Sequence, residues 1–131
     1  MSGSQRLIKS HTQLDVYRKG FDLAMEIFQL SKSFPTEERY SLIDQMRRSS
    51  RSVTANIAEA WRKRKYEAAF IAKLSDSEAE AAETQTWIEY AVQCEYLEKQ
   101  LGRRLFLEYD TLIGSLVGMQ LHADRWILPK N

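Results

Sequence analysis

Scarcity marks this chain more than any motif. One cysteine, two prolines, five glycines and two histidines stand among 131 residues, and each shortage excludes something. The lone Cys94 cannot close an intrachain disulfide, no zinc-ligand spacing is present, and the N-terminus lacks the apolar core of a signal peptide. A reducing cytoplasm is the expected compartment. So few glycines and prolines leave little material for the frequent turns of an all-β domain. No apolar run approaches the roughly 18 residues of a membrane span, so a soluble protein is expected. The formal net charge is only +1, so the molecule as a whole is not a polybasic nucleic-acid binder.

The same shortages bear on catalysis. His11 and His122 have no evident partner in sequence, no Glu-x-x-His pair of a di-iron bundle occurs, and there is no glycine-rich phosphate loop. Cys94 sits beside Glu95, which would raise a thiol pKa, and it reads as a small packing residue. Glu80 and Glu83 share helical spacing but flank an apolar stripe. The chain is expected to be no enzyme and to need no cofactor or metal.

What is present is helical periodicity. Residues 1–13 read as a disordered lead-in, followed by one domain over 14–128. Leu14, Tyr17, Phe21, Ala24 and Phe28 alternate spacings of three and four, a stripe along a first helix from about Asp15 to Ser33, ended by Pro35. Thr36 is placed to cap a second helix, whose stripe is Ile43, Met46, Ser50, Val53, Ile57 and Ala60. Phe70, Leu74, Ser77, Ala81, Thr84, Ile88 and Ala91 mark a third, from about Tyr66 to Glu95. Gly102 reads as the next break. Leu105, Tyr109, Leu112, Leu116, Met119, Ala123 and Trp126 mark a fourth, ended by Pro129. Gly114 and Gly118, one turn apart, suggest tight helix packing. Four such helices with short connections predict an all-α, up-down-up-down antiparallel four-helix bundle.

Charge is unevenly placed. The stretch "RRSSRSVTANIAEAWRKRK" holds Arg47, Arg48, Arg51, Arg62, Lys63, Arg64 and Lys65 against Glu59 alone. From Asp76 to Glu98 there are seven acids and no Lys or Arg. If the second helix continues to Lys65, Arg47, Arg51, Arg62 and Lys65 fall within about 60° of one another, off the core direction. That stripe could meet nucleic-acid phosphates, or the acids of the third helix in the same or a neighbouring subunit, or simply water. Asn56 is expected to bond between helices. Trp61, Trp87 and Tyr90 fall off or at the edge of the core stripes; with Glu80 and Glu83 they are the candidate oligomer contact.

The segment "LDVYRKGFDLAMEIFQLSKSFPTEERYSLIDQMRRSSRSVTANIAEA" resembles the first half of the bacterial four-helix-bundle family of 23S ribosomal RNA intervening-sequence proteins. The resemblance is carried by Leu14 to Tyr17, by Phe34 to Leu42, and by Arg47 through Ala60, where Ser52, Asn56, Ile57, Ala58 and Glu59 match residue by residue. It extends through Phe70, Leu74, Glu83, Ala91, Tyr96 and Leu97. Two positions depart from the family pattern: Ala60 replaces a usual glycine, favouring helix continuation into Trp61, and Glu80 stands where a small residue is usual. The resemblance implies a homo-oligomer, with a pentamer expected. Through the fold's likeness to accessory proteins of diversity-generating retroelements, it also implies RNA or DNA and a reverse transcriptase as partners. The resulting expectation is a non-enzymatic RNA-binding scaffold; the alternative is an adaptor whose basic and acidic faces pair between subunits.

Overall fold

A computed structural model describes residues 7–130, and among them every regular element is helical. Four α-helices carry the fold: α1 (Asp15–Ser31), α2 (Leu42–Arg62), α3 (Glu67–Gln93) and α4 (Lys99–Leu121). Single 3-10 turns at His11–Gln13, Thr36–Glu38 and Ala123–Arg125 trim the ends. The helices form an antiparallel bundle in which, of the neighbouring pairs, α2 with α3 is the most extensive and α1 with α4 the sparsest. No helix among the described residues is long and apolar enough to cross a membrane.

The stripes of α2, α3 and α4 pack as their spacing predicts. Met46, Val53, Ile57, Phe70, Leu74, Ile88, Leu105, Leu112 and Leu116 are almost wholly buried. Between α2 and α3 the core turns small and polar, with Ser49, Ser50, Ser77, Ala81 and Thr84 all excluded from water. Each hydroxyl there has a partner, as burial requires. The Ser77 hydroxyl donates to the Val53 carbonyl at 2.7 Å, and Ser49 Oγ lies 2.8 Å from Thr84 Oγ1.

Helix α1 departs from expectation. Its buried face is Val16, Gly20, Leu23, Ala24, Ile27 and Ser31, whereas Phe21 of the predicted stripe is 48% exposed and Tyr17 and Phe28 lie on the flank. The cause is Gly20, where a Cβ would stand 3.2 Å from Thr54 Cγ2 and 3.3 Å from Val53 Cγ1. That close crossing turns the glycine inward and the aromatics outward.

The connections also differ from their sequence signals. Thr36 makes no side-chain cap; Thr36–Glu38 is a separate turn after Pro35, and α2 opens at Leu42, whose N–H donates to Glu38 Oε1 at 3.3 Å. Helix α2 stops at Arg62, short of Lys65. Gly102 is no break, because it lies in the first turn of α4 with its absent Cβ 2.3 Å from Val92 Cγ2. The reversal after α3 is made by Glu95 at φ 63°. Tyr96 N–H donates to Ala91 O at 2.8 Å and Glu95 N–H to Val92 O at 2.9 Å, the two bonds of a Schellman stop.

Two smaller expectations fail for similar reasons. Gly114 and Gly118 face open space, and Cys94 is exposed. Residues 7–13 are not a bare lead-in, since Ser10 and Gln13 form a reciprocal capping box and Ile8 packs on the core. The rest of the expected lead-in, 1–6, lies outside the described residues.

Candidate nucleic-acid interface

The seven basic residues fall in two places because residues 52–61 between them carry no Lys or Arg. Arg47, Arg48 and Arg51 stand on the α2 surface, whereas Lys63, Arg64 and Lys65 form the turn into α3 with Arg62 at the helix end. The eleven residues from Arg51 to Arg62 put about 16 Å of helix between the groups. Helix α2 keeps Arg47, Arg51 and Arg62 within about 60° of one another, but it ends at Arg62, so the stripe expected to reach Lys65 loses that residue to the turn.

On the α2 face, Arg39, Arg47, Arg48 and Arg51 line a groove in which Asp44 is the only acid. Phe28 of α1, displaced from the core by the rotation at Gly20, becomes its platform. Lys32 Nζ and Arg47 Cζ each stand 4.7 Å from the Phe28 ring centroid, and Arg51 Cζ stands 5.7 Å away. Arg47 is held further by Nε donating to Ser31 Oγ at 2.9 Å and by Nη2 donating to Phe28 O at 3.4 Å. A buried hydroxyl, a carbonyl and an aromatic face thus preset one guanidinium.

Arg48 behaves differently. It bonds Glu83 and lies 3.6 Å from Glu80 Oε1 in its own chain, so two of the acids expected at an oligomer contact meet α2 internally. Lys19, Lys73 and Arg104 are likewise paired, to Glu108, to Glu59 and Asp76, and to Glu26 and Glu108. Among the described residues Lys32, Arg39, Arg47 and Arg51 have no carboxylate partner.

At the turn, the Arg64 guanidinium stacks 3.5 Å from the Trp61 ring centroid and donates from Nε to Trp61 O at 2.9 Å. Partial burial lowers its pKa, and Arg62 adds to the effect. The Arg64 carbonyl accepts from Leu128 N at 3.0 Å, strapping the C-terminal segment over the turn. Trp61 itself is 5% exposed, a core residue of the monomer. Trp87 is half-buried, with its indole N–H on Glu83 Oε2 at 3.1 Å, and Tyr90 is 56% exposed. Asn56 bonds Ser52 O of its own helix at 2.9 Å, so the expected bond between helices is absent.

Sequence reading missed Lys32, Arg39 and Phe28 as parts of this surface. Lys32 and Arg39 lie outside the basic run, and Phe28 passed for core because its spacing fits the stripe. No group of His, Cys, Asp and Glu among the described residues could hold a metal ion.

Residues 12–118 match the family described as 23S rRNA-intervening sequence protein. No curated protein matches the chain. A crystal structure from Bacteroides thetaiotaomicron, described as a protein of unknown function from the S23 ribosomal protein family, superposes with a TM-score of 0.72 at 28% identity. The match covers 80% of this chain and 94% of that one.

Proposed function

From the premise that the chain belongs to the 23S rRNA-intervening sequence protein family, we propose that it is a non-enzymatic scaffold that grips RNA by its phosphates. The observation that carries this reading is the convergence of Lys32, Arg47 and Arg51 on one phenylalanine with no carboxylate among them. Three like charges drawn together repel one another, and a polyanion supplies the missing countercharge. The exposed Phe21 offers a face on which an unpaired base can stack. Lys and Arg contacts to phosphate carry no sequence information, so this grip is backbone-led and tolerant of sequence.

Basic residues at the α2–α3 turn give a second phosphate contact, and a homo-oligomer, a pentamer by the family likeness, would repeat both. Such a grip suits an accessory that presents structured RNA to a reverse transcriptase. The adaptor alternative has less support, because Arg48, the α2 cation that reaches the acids of α3, meets them within its own chain.

Salt dependence tests the reading. RNA affinity is expected to fall steeply between about 50 and 200 mM salt, with the log–log slope reduced by roughly 0.7–0.9 for each phosphate contact removed. Lys32→Gln and Arg51→Gln should each lower the slope, whereas Lys73→Gln, which removes a cation paired to Glu59, should leave it unchanged. Affinity indifferent to salt and to both substitutions would refute the proposal.

A further inference from the structure

A second surface lies on the other flank of α2, where that helix meets α3. Trp87 and Tyr90 project side by side from α3, ring centroids 5.9 Å apart, and wall a cleft of about 240 Å³ whose other lining includes Glu38, Gln45 and Cys94. Glu38 is held through both of its carboxylate oxygens. One oxygen accepts from Leu42 N at 3.3 Å and the other from the Tyr96 hydroxyl at 2.9 Å. A carboxylate has about four lone-pair sites, so two remain after these bonds. Among the described residues no ion pair involves Glu38.

The aromatic wall is fixed as well. The Trp87 indole N–H is tied to Glu83, and Glu83 in turn to Arg48. What results is a preset aromatic face beside a preset, uncompensated carboxylate, the two halves of a cation site. The cleft falls below the roughly 300 Å³ at which small-molecule pockets begin, which suits one side chain rather than a nucleoside or cofactor. Its setting also argues against nucleic acid, because from Asp76 to its end at Gln93 α3 carries five acids and no Lys or Arg.

We propose that this cleft receives an arginine side chain from a partner protein, the guanidinium stacking on Trp87 and Tyr90 while forking onto Glu38. Charge complementarity selects a cation. The flat aromatic wall and the bidentate acceptor select arginine over lysine, whose ammonium is a point charge without a plane to stack. The cleft borders the phosphate groove through Arg48, which lines that groove and bonds the Glu83 that holds Trp87, but the two share no lining residue, and the assignment does not depend on the RNA reading.

The test is a titration followed by 15N–1H correlation spectroscopy, with the capped peptide acetyl-Gly-Arg-Gly-amide as probe and its citrulline analogue as control. The Trp87 indole signal, assigned by its loss in Trp87→Phe, is expected to move while those of Trp61 and Trp126 stay. The arginine peptide should bind at least tenfold more tightly than the citrulline one, and Glu38→Gln should erase that preference. Tyr90→Ala, at an exposed position that leaves the fold intact, should weaken the arginine peptide at least fivefold. Equal binding of the two peptides, shifts that map elsewhere, or no shift at all would overturn the proposal. Movement of the same indole by an oligouridylate instead would assign the cleft to nucleic acid and overturn it too.

Discussion

Glu38 and Tyr96 illustrate how much a single pair can hold. Their hydrogen bond joins the α1–α2 connection to the α3–α4 connection across 58 residues, and it raises the Tyr96 pKa from 10.0 to about 12, with desolvation and the Glu38 charge adding to the effect. Because the folded value lies above the unfolded one, the fold favours the neutral phenol. Its stabilisation is whole below about pH 10 and is lost as pH climbs through about 12. Tyr109, buried with its hydroxyl unpartnered, is shifted in the same direction by desolvation. Denaturation midpoints are therefore expected to fall across that window, and Tyr96→Phe should flatten part of the decline, with tyrosinate absorbance reporting the ionisation directly. Glu95 makes the opposite kind of contribution. It holds a left-handed conformation at φ 63° that glycine adopts without strain, so Glu95→Gly should stabilise the protein by about 0.5–1 kcal/mol, measured by denaturant unfolding, after the looser unfolded chain offsets part of the gain.

Helix pairs are decided by where small residues fall. The α3–α4 crossing depends on Gly102, since any Cβ there would stand 2.3 Å from Val92 Cγ2, and a β-branched valine has little freedom to turn aside. Gly102→Ala is expected to cost about 1–3 kcal/mol through overpacking. Adding Val92→Ala should restore part of the loss, and a double-mutant cycle by chemical denaturation measures the coupling. If the two substitutions simply add, the contact is not what requires glycine. The same logic explains the misplaced α1 stripe. Aromatic spacing alone favours Tyr17, Phe21 and Phe28 as the inward face, but the helix turns to bring Gly20 against Thr54 and Val53. By contrast the stripes of α2 and α3 are legible because their small residues, Ser50, Ser77 and Ala81, already lie on the apolar line and are buried with it.

Across the whole molecule, cations divide into those with internal partners and those without. Arg104 bridges α4 to α1 through Glu26 while also binding Glu108, and Glu108, bonded by Lys19 and Arg104, is held below the ordinary carboxylate range. That network is spent on the fold. Two groups of the unpaired cations lie on the outer face of α2 and at the α2–α3 turn, at least about 16 Å apart along the helix, a reach suited to a polyanion and not to one phosphate. In the same RNA titration, neutralising Arg62, Lys63 and Lys65 together should lower the salt slope further than Lys32→Gln with Arg51→Gln alone. An unchanged slope would confine the grip to the α2 face.

The sequence by itself determined the helical class, the number of helices, the inward faces of α2, α3 and α4, and the family, because periodicity and a spaced motif are properties of neighbours along the chain. Only the tertiary structure decided the rest. Whether Phe28 is core or platform depends on the rotation of α1 against α2. Which arginines remain unpaired depends on the acids that other helices bring within reach. Those outcomes are set by distances between segments far apart in sequence, and no local pattern encodes them.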